Sequence, residues 1–150
     1  MSLQAKLTLI GVLFVSQALY AQREYNTWYA KDGSLYGLTQ TADSRPVLIT
    51  LSVTGTDEAG LVVSFQDDIP CENSSFQMPF KIDAKEVRFK LSCIPVNNSV
   101  IKTYVVSDPT TVNYVLAKLR SGLTVVLMED IKIWAGNINK PVYGTGLWTE

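Results

Sequence analysis

The sequence predicts a mainly β protein, a single β-sandwich or open barrel of antiparallel strands with one short helix near 109–121. Three observations carry this reading. Apolar and polar residues alternate with period two over much of the chain, Gly, Asn, Asp and Pro cluster between those stretches, and one convincing segment has helical spacing.

The chain opens with Lys6 ahead of the apolar run Leu7–Val15, then Ser16, Gln17, Ala18, Leu19, Tyr20 and Ala21. A basic residue, a short apolar stretch and small residues before a polar junction are the parts of a cleavable signal peptide. Cleavage after Ala21 is favoured over cleavage after Ala18. A membrane-spanning helix needs about 20 apolar residues, and Ser16 with Gln17 interrupts this run early. No cysteine flanks the cut, which rules out a lipid-anchored lipoprotein. The expected organisation is a signal peptide at 1–21 and one β-rich domain at 22–150. The expected location is the periplasm, or outside the cell, with no membrane span after cleavage.

From Tyr25 the aromatic stretch to Lys31 reads as a strand, and Asp32-Gly33-Ser34 turns the chain into a second, Leu35 to Thr39. Pro46 to Thr54 alternates most cleanly, with Val47, Ile49, Leu51 and Val53 on one face. After the loop Gly55–Gly60, Leu61, Val63 and Phe65 resume the pattern as the return arm of a hairpin. Ser75 to Phe80 reads as a short strand, and Pro79 assigns it to an edge. Lys85 to Cys93 reads as one strand, turning Val87, Phe89, Leu91 and Cys93 inward. Pro95-Val96-Asn97-Asn98 is the next turn, and Ser99 to Val106 the next strand.

The helix starts at Asp108, a good N-cap, with Pro109 at the first helical position. Val112, Val115, Leu116 and Leu119 form its apolar stripe; Lys118 and Arg120 suit the last turn, and Gly122 closes it. Leu123 to Trp134 reads as one long strand or two short ones with Val125, Leu127, Ile131 and Ile133 on one face. Glu129 falls among them, as a register-changing bulge or a buried carboxylate needing a partner. Pro141 to Trp148 is the last strand.

Thirteen basic and fourteen acidic residues leave a formal net charge of −1, which gives no electrostatic reason to expect a nucleic-acid or anionic-membrane partner. The chain contains no histidine. That excludes Ser-His and Cys-His nucleophiles and His-ligated zinc, and leaves carboxylate, lysine or tyrosine chemistry. Cys71 and Cys93 are the two cysteines. In an exported chain they are expected to pair, closing a loop of about 22 residues worth roughly 3 kcal/mol. The adjacent spacing of a redox-active pair is absent.

The strand Arg88-Phe89-Lys90-Leu91-Ser92-Cys93, the helix ending Leu119-Arg120-Ser121-Gly122-Leu123 and the two closing strands together resemble small exported proteins of the invasion-associated locus B type, over residues 85–148. The resemblance implies a periplasmic β-sandwich and transfers no functional residue. Members of that family typically carry more cysteines than this chain.

Two sets of residues are candidates for function. Tyr25, Trp28, Tyr29 and Tyr36 cluster near the mature N-terminus, where Tyr and Trp suit a protein-contact surface. Asp57, Glu58, Asp67, Asp68 and Glu72 lie in turns that a hairpin could gather at one end of the sheet, as candidate ligands for calcium or a carboxylate pair for hydrolysis. Their spacing matches no defined calcium loop, and Asn73 and Asn97, which fit the glycosylation pattern, are read as loop residues. No cofactor is expected. The leading expectation is a non-enzymatic protein that binds another protein, as immunity, inhibitor or envelope accessory factors do. The alternative is a small-ligand or calcium-binding sandwich using the acidic turns.

Overall fold

The computed structural model describes residues 25–71 and 79–144. The segment expected as a signal peptide, Glu72, Asn73, the first part of the strand expected at 75–80, and Trp148 lie outside the described residues. Among the described residues the fold is mainly β, with two sheets stacked as a sandwich and one helix.

Strands β1 (Trp28–Lys31), β2 (Ser34–Gln40), β3 (Pro46–Ser52) and β4 (Gly60–Asp67) form a meander. The short strands β5 (Lys81–Ile82) and β6 (Lys85–Glu86) leave this sheet for a second one. β7 (Lys90–Val96) and β8 (Ser99–Val106) return to the first and extend it beyond β4. β9 (Val125–Leu127) and β10 (Ile131–Ile133) join the second sheet, and the short strand β11 (Val142–Tyr143) adds to the far edge of the first. The resulting seven-stranded sheet has the order β11-β1-β2-β3-β4-β8-β7. One pairing departs from the antiparallel expectation: β11 runs parallel to β1, with Tyr29 opposite Val142. A parallel neighbour needs a long connection, and here nearly the whole domain supplies it.

Period two sorts this sheet into faces. The inner rows are Leu35–Leu51–Leu61–Val106, Gly37–Ile49–Val63–Tyr104–Leu91 and Thr39–Val47–Phe65–Lys102–Cys93. The four-stranded sheet, of order β10-β9-β5-β6, and the helix cover this face. Val125, Leu127, Ile131 and Ile133 are all buried on the shared face, as their spacing predicts. Thr39 is the one buried polar residue among those described, and its hydroxyl donates to the Lys132 carbonyl at 2.7 Å, joining β2 to β10.

Helix α1 (Pro109–Arg120) begins as its sequence dictates: the Asp108 side chain accepts from the Thr111 amide, and Pro109 follows the cap. Val112, Val115, Leu116 and Leu119 are buried against β4 and β9. Asn113 ties the helix to the β3–β4 loop, accepting from Gly55 N at 2.8 Å and donating to Thr56 O at 3.3 Å. The helix therefore lies beside the β3–β4 loop, away from the β2–β3 loop at the other end of the strands.

Several boundaries differ from expectation, each for a local reason. Lys85–Cys93 divides into β6 and β7, and Val87, Phe89 and Leu91 still pack against the core. Pro95 belongs to β7, because the turn narrows to Asn97-Asn98, with Asn97 at φ 54. In a two-residue hairpin the closing pair is hydrogen-bonded, so the closing Val96–Ser99 pair puts the backbone nitrogen of Pro95 on the open side of the edge strand, where no donor is required. Glu129 is neither a bulge nor buried: it sits at φ 72 in the turn joining β9 to β10, exposed, with Lys81 Nζ 3.0 Å from its carboxylate. Phe80 is fully buried but lies outside any strand, just before β5, packing on Phe89 and Tyr104.

Candidate functional site

A concavity of about 510 Å³ opens where the β2–β3 loop, the end of β4 and the β9–β10 turn meet. Its apolar lining comes from Phe65, Pro79, Met128 and Ile131. Phe65 stacks on Tyr104 with ring centroids 5.9 Å apart, so this lining is backed by the aromatic cluster of the core.

The rim is charged and internally ordered. The β2–β3 loop is closed by Thr41 N to Arg45 O at 2.9 Å and by Arg45 N to Thr41 Oγ1 at 3.0 Å. Its Arg45 guanidinium meets Asp43 at 2.7 Å and Asp67 at 3.2 Å. Asp67 also receives Lys102 Nζ at 2.8 Å, on the half-buried inner face. Desolvation pushes the Asp67 carboxyl up, but hydrogen bonds from Lys102, the Ile69 amide and Arg45 outweigh it and hold the group below the usual carboxylate range. The Thr41 hydroxyl and then Arg45 lower Asp43 in the same sense. Across the opening, Lys81 pairs with Glu129. Asp130, next along the turn, makes no ion pair or side-chain hydrogen bond among the described residues.

The acidic residues singled out from sequence do not share one end of the sheet. β4 separates Glu58 from Asp67, and eight residues of strand span about 23 Å. Asp57 and Glu58 are exposed in the β3–β4 loop beside the helix, whereas Asp67 lines the concavity and Asp68 follows it in an exposed bend. Among the described residues no group of three or more Cys, Asp or Glu is gathered around a common point for a metal. Asp67, the best placed of them, is already taken up by two cations.

The four aromatic candidates divide by the pleat. Trp28 points inward and is only 2 % exposed; its indole lies on Gly37, and its Nε1 donates to Trp134 O at 3.0 Å. Trp28→Ala thus removes a core side chain, at a cost of about 3–5 kcal/mol, and is no probe of a surface. Tyr29 and Tyr36 face each other across β1 and β2 on the outer face, Tyr29 buried and Tyr36 half-buried. Tyr25 precedes β1 and is half-exposed. Trp134 and Tyr143 are exposed.

Cys71 and Cys93 form the expected disulfide. Cys93 lies in the inner row that contains Phe65 and Lys102, so the bond fastens the chain leaving β4 to the edge strand. Sequence reading missed Arg45, Lys81, Met128, Ile131 and Asp130 as companions of Asp67. Only the Asp43-Ser44-Arg45-Pro46 turn carried a local signal, since the rest come from segments more than sixty residues apart or from the small sheet. The chain matches no family model, and no curated protein or solved structure matches it.

Proposed function

We propose that this is an exported, non-enzymatic protein that binds another protein through the open concavity at the β2–β3 end of its sandwich. The observation that carries the reading is the pairing of an apolar lining, Phe65, Met128 and Ile131, with a rim whose charges are fixed by one another. Preorganised polar groups around an apolar centre favour recognition, because little ordering is left for binding to accomplish. The disulfide and the signal-like residues 1–21 support export to an oxidising compartment.

A carboxylate hydrolase draws less support. General acid catalysis calls for a carboxyl raised toward neutrality, whereas Asp43 and Asp67 at this site are both lowered.

The test is affinity capture from the native envelope fraction with three oxidised baits: the unaltered protein, Ala42→Trp and Tyr36→Ala. Ala42 is exposed beside the concavity, so a bulky side chain there obstructs it without entering the core. A stoichiometric partner is expected on the unaltered and Tyr36→Ala baits and absent from Ala42→Trp. Loss on Tyr36→Ala with retention on Ala42→Trp would transfer the contact to the outer sheet face. Folded baits that capture nothing would end the reading.

A further inference from the structure

We infer that the concavity takes a cationic, amphiphilic segment of its partner: a Lys or Arg side chain flanked by apolar residues. The inference rests on the binding role proposed above and adds the chemistry of what is bound. Asp43, Asp67, Asp68, Glu129 and Asp130 stand at or beside the opening, against Arg45, Lys81 and Lys102. Each of those cations is already engaged: Arg45 by Asp43 and Asp67, Lys102 by Asp67, Lys81 by Glu129. An incoming anion would have to break one of these pairs to find a cation.

The carboxylate of Asp130 is free of that constraint. It is exposed in the three-residue turn Met128–Asp130, adjoining Met128 and Ile131 of the apolar lining. A long basic side chain matches this arrangement, since its methylene stem lies on apolar surface while its head reaches a carboxylate. Flanking apolar residues would occupy the surface formed by Phe65 and Pro79. Charge complementarity therefore favours a basic segment and disfavours an acidic one.

The experiment titrates the oxidised protein with three capped tripeptides, Ac-Leu-Lys-Leu-NH2, Ac-Leu-Gln-Leu-NH2 and Ac-Leu-Glu-Leu-NH2, following the methyl resonances of Met128 and Ile131. The lysine peptide should bind about fivefold more tightly than the glutamine peptide, the size of an exposed ion pair, and the glutamate peptide more weakly than either. Asp130→Asn should bring the lysine peptide to the glutamine value, and the preference should shrink in high salt. Equal shifts from all three peptides, or a preference unchanged in Asp130→Asn, would overturn the cationic inference and leave the binding site standing. A preference for the glutamate peptide would overturn it as well. If no peptide moves either methyl, the inference and the proposed site fall together.

Discussion

Asp83 and Lys118, 35 residues apart, meet at 2.6 Å and fasten the small sheet to the helix. Asp83 occupies the tight turn between β5 and β6 with φ 50, and Ala84 follows at φ 66. That left-handed backbone, which Asp tolerates better than most residues, aims the carboxylate away from its own hairpin. One oxygen accepts from Lys118 Nζ and from the Tyr114 hydroxyl at 3.0 Å; the other accepts from the Val126 amide at 3.0 Å. A two-residue strand such as β5 has little ladder of its own, so its position depends on this side chain.

Asp83→Ala should therefore destabilise the fold by about 2–3 kcal/mol, since it strands a half-buried ammonium and an amide together. Asp83→Asn should cost less, because it keeps an acceptor. Urea denaturation of the two variants checks the order; equal stability would mean the network contributes nothing measurable.

Stability should also fall in acid through the same groups. Burial raises the Asp83 carboxyl, but Lys118, the Val126 amide and Tyr114 outweigh it and lower it overall, as Lys102, the Ile69 amide and Arg45 do for Asp67. A folded value below the unfolded one, about 3.9, gives stabilisation that is complete above about pH 5. It is then lost as pH falls through the lowered values. Denaturation midpoints measured from pH 7 to pH 2 should stay flat to about pH 5 and then drop, with a shallower drop in Asp83→Asn.

Two glycines should respond differently to alanine. Gly33 has φ +78, and a Cβ added there would meet nothing within 4 Å, so Gly33→Ala bears only the backbone penalty, about 1 kcal/mol. At Gly136 the φ is +46 and a Cβ would lie 2.4 Å from the Asn26 carbonyl oxygen. That contact cannot relax without moving the backbone beside Trp28, so Gly136→Ala should cost at least about 2 kcal/mol more than Gly33→Ala. Thermal or urea melts of the pair give the comparison directly.

Removing the disulfide with Cys71→Ser and Cys93→Ser together should lower stability by about 3 kcal/mol, the chain-entropy value for a loop of this length. The denaturant slope should rise slightly, because the unlinked chain unfolds to a more open ensemble. An unchanged midpoint would mean that the crosslink adds nothing to the stability of the folded domain.

The parts of the fold legible in sequence are those governed by near neighbours. Val47, Ile49 and Leu51 announced β3 and its inner face, and Asp108, Pro109 and the Val112–Leu119 stripe announced the helix with its buried side. What escaped is what distant segments decide. No local pattern in Val142-Tyr143 tells of β1, and the side chains of Trp28 and Tyr29 separate only once β1 takes its place in the pleat. The same holds for the site. Asp67 stood out as an acid in a turn, but its partners Arg45 and Lys102 come from the β2–β3 loop and from β8, and their presence changes it from a candidate metal ligand into the centre of an ion-paired rim.

The parallel pairing of β11 with β1 also sets an order of events for the chain. β1 is completed from far along the sequence: Val142 and Tyr143 pair with its backbone, and the Asn137 side chain accepts from Trp28 N at 2.6 Å and donates to Trp28 O at 3.0 Å. Local meander strands can pair as soon as they exist, whereas this edge must wait for a contact across more than a hundred residues, the kind of closure that slows folding. A chain delivered N-terminus first would hold the meander of this sheet with β1 unfinished until residues 137–143 arrived. Completion of the sheet thus reports that the segment carrying β11 has been delivered.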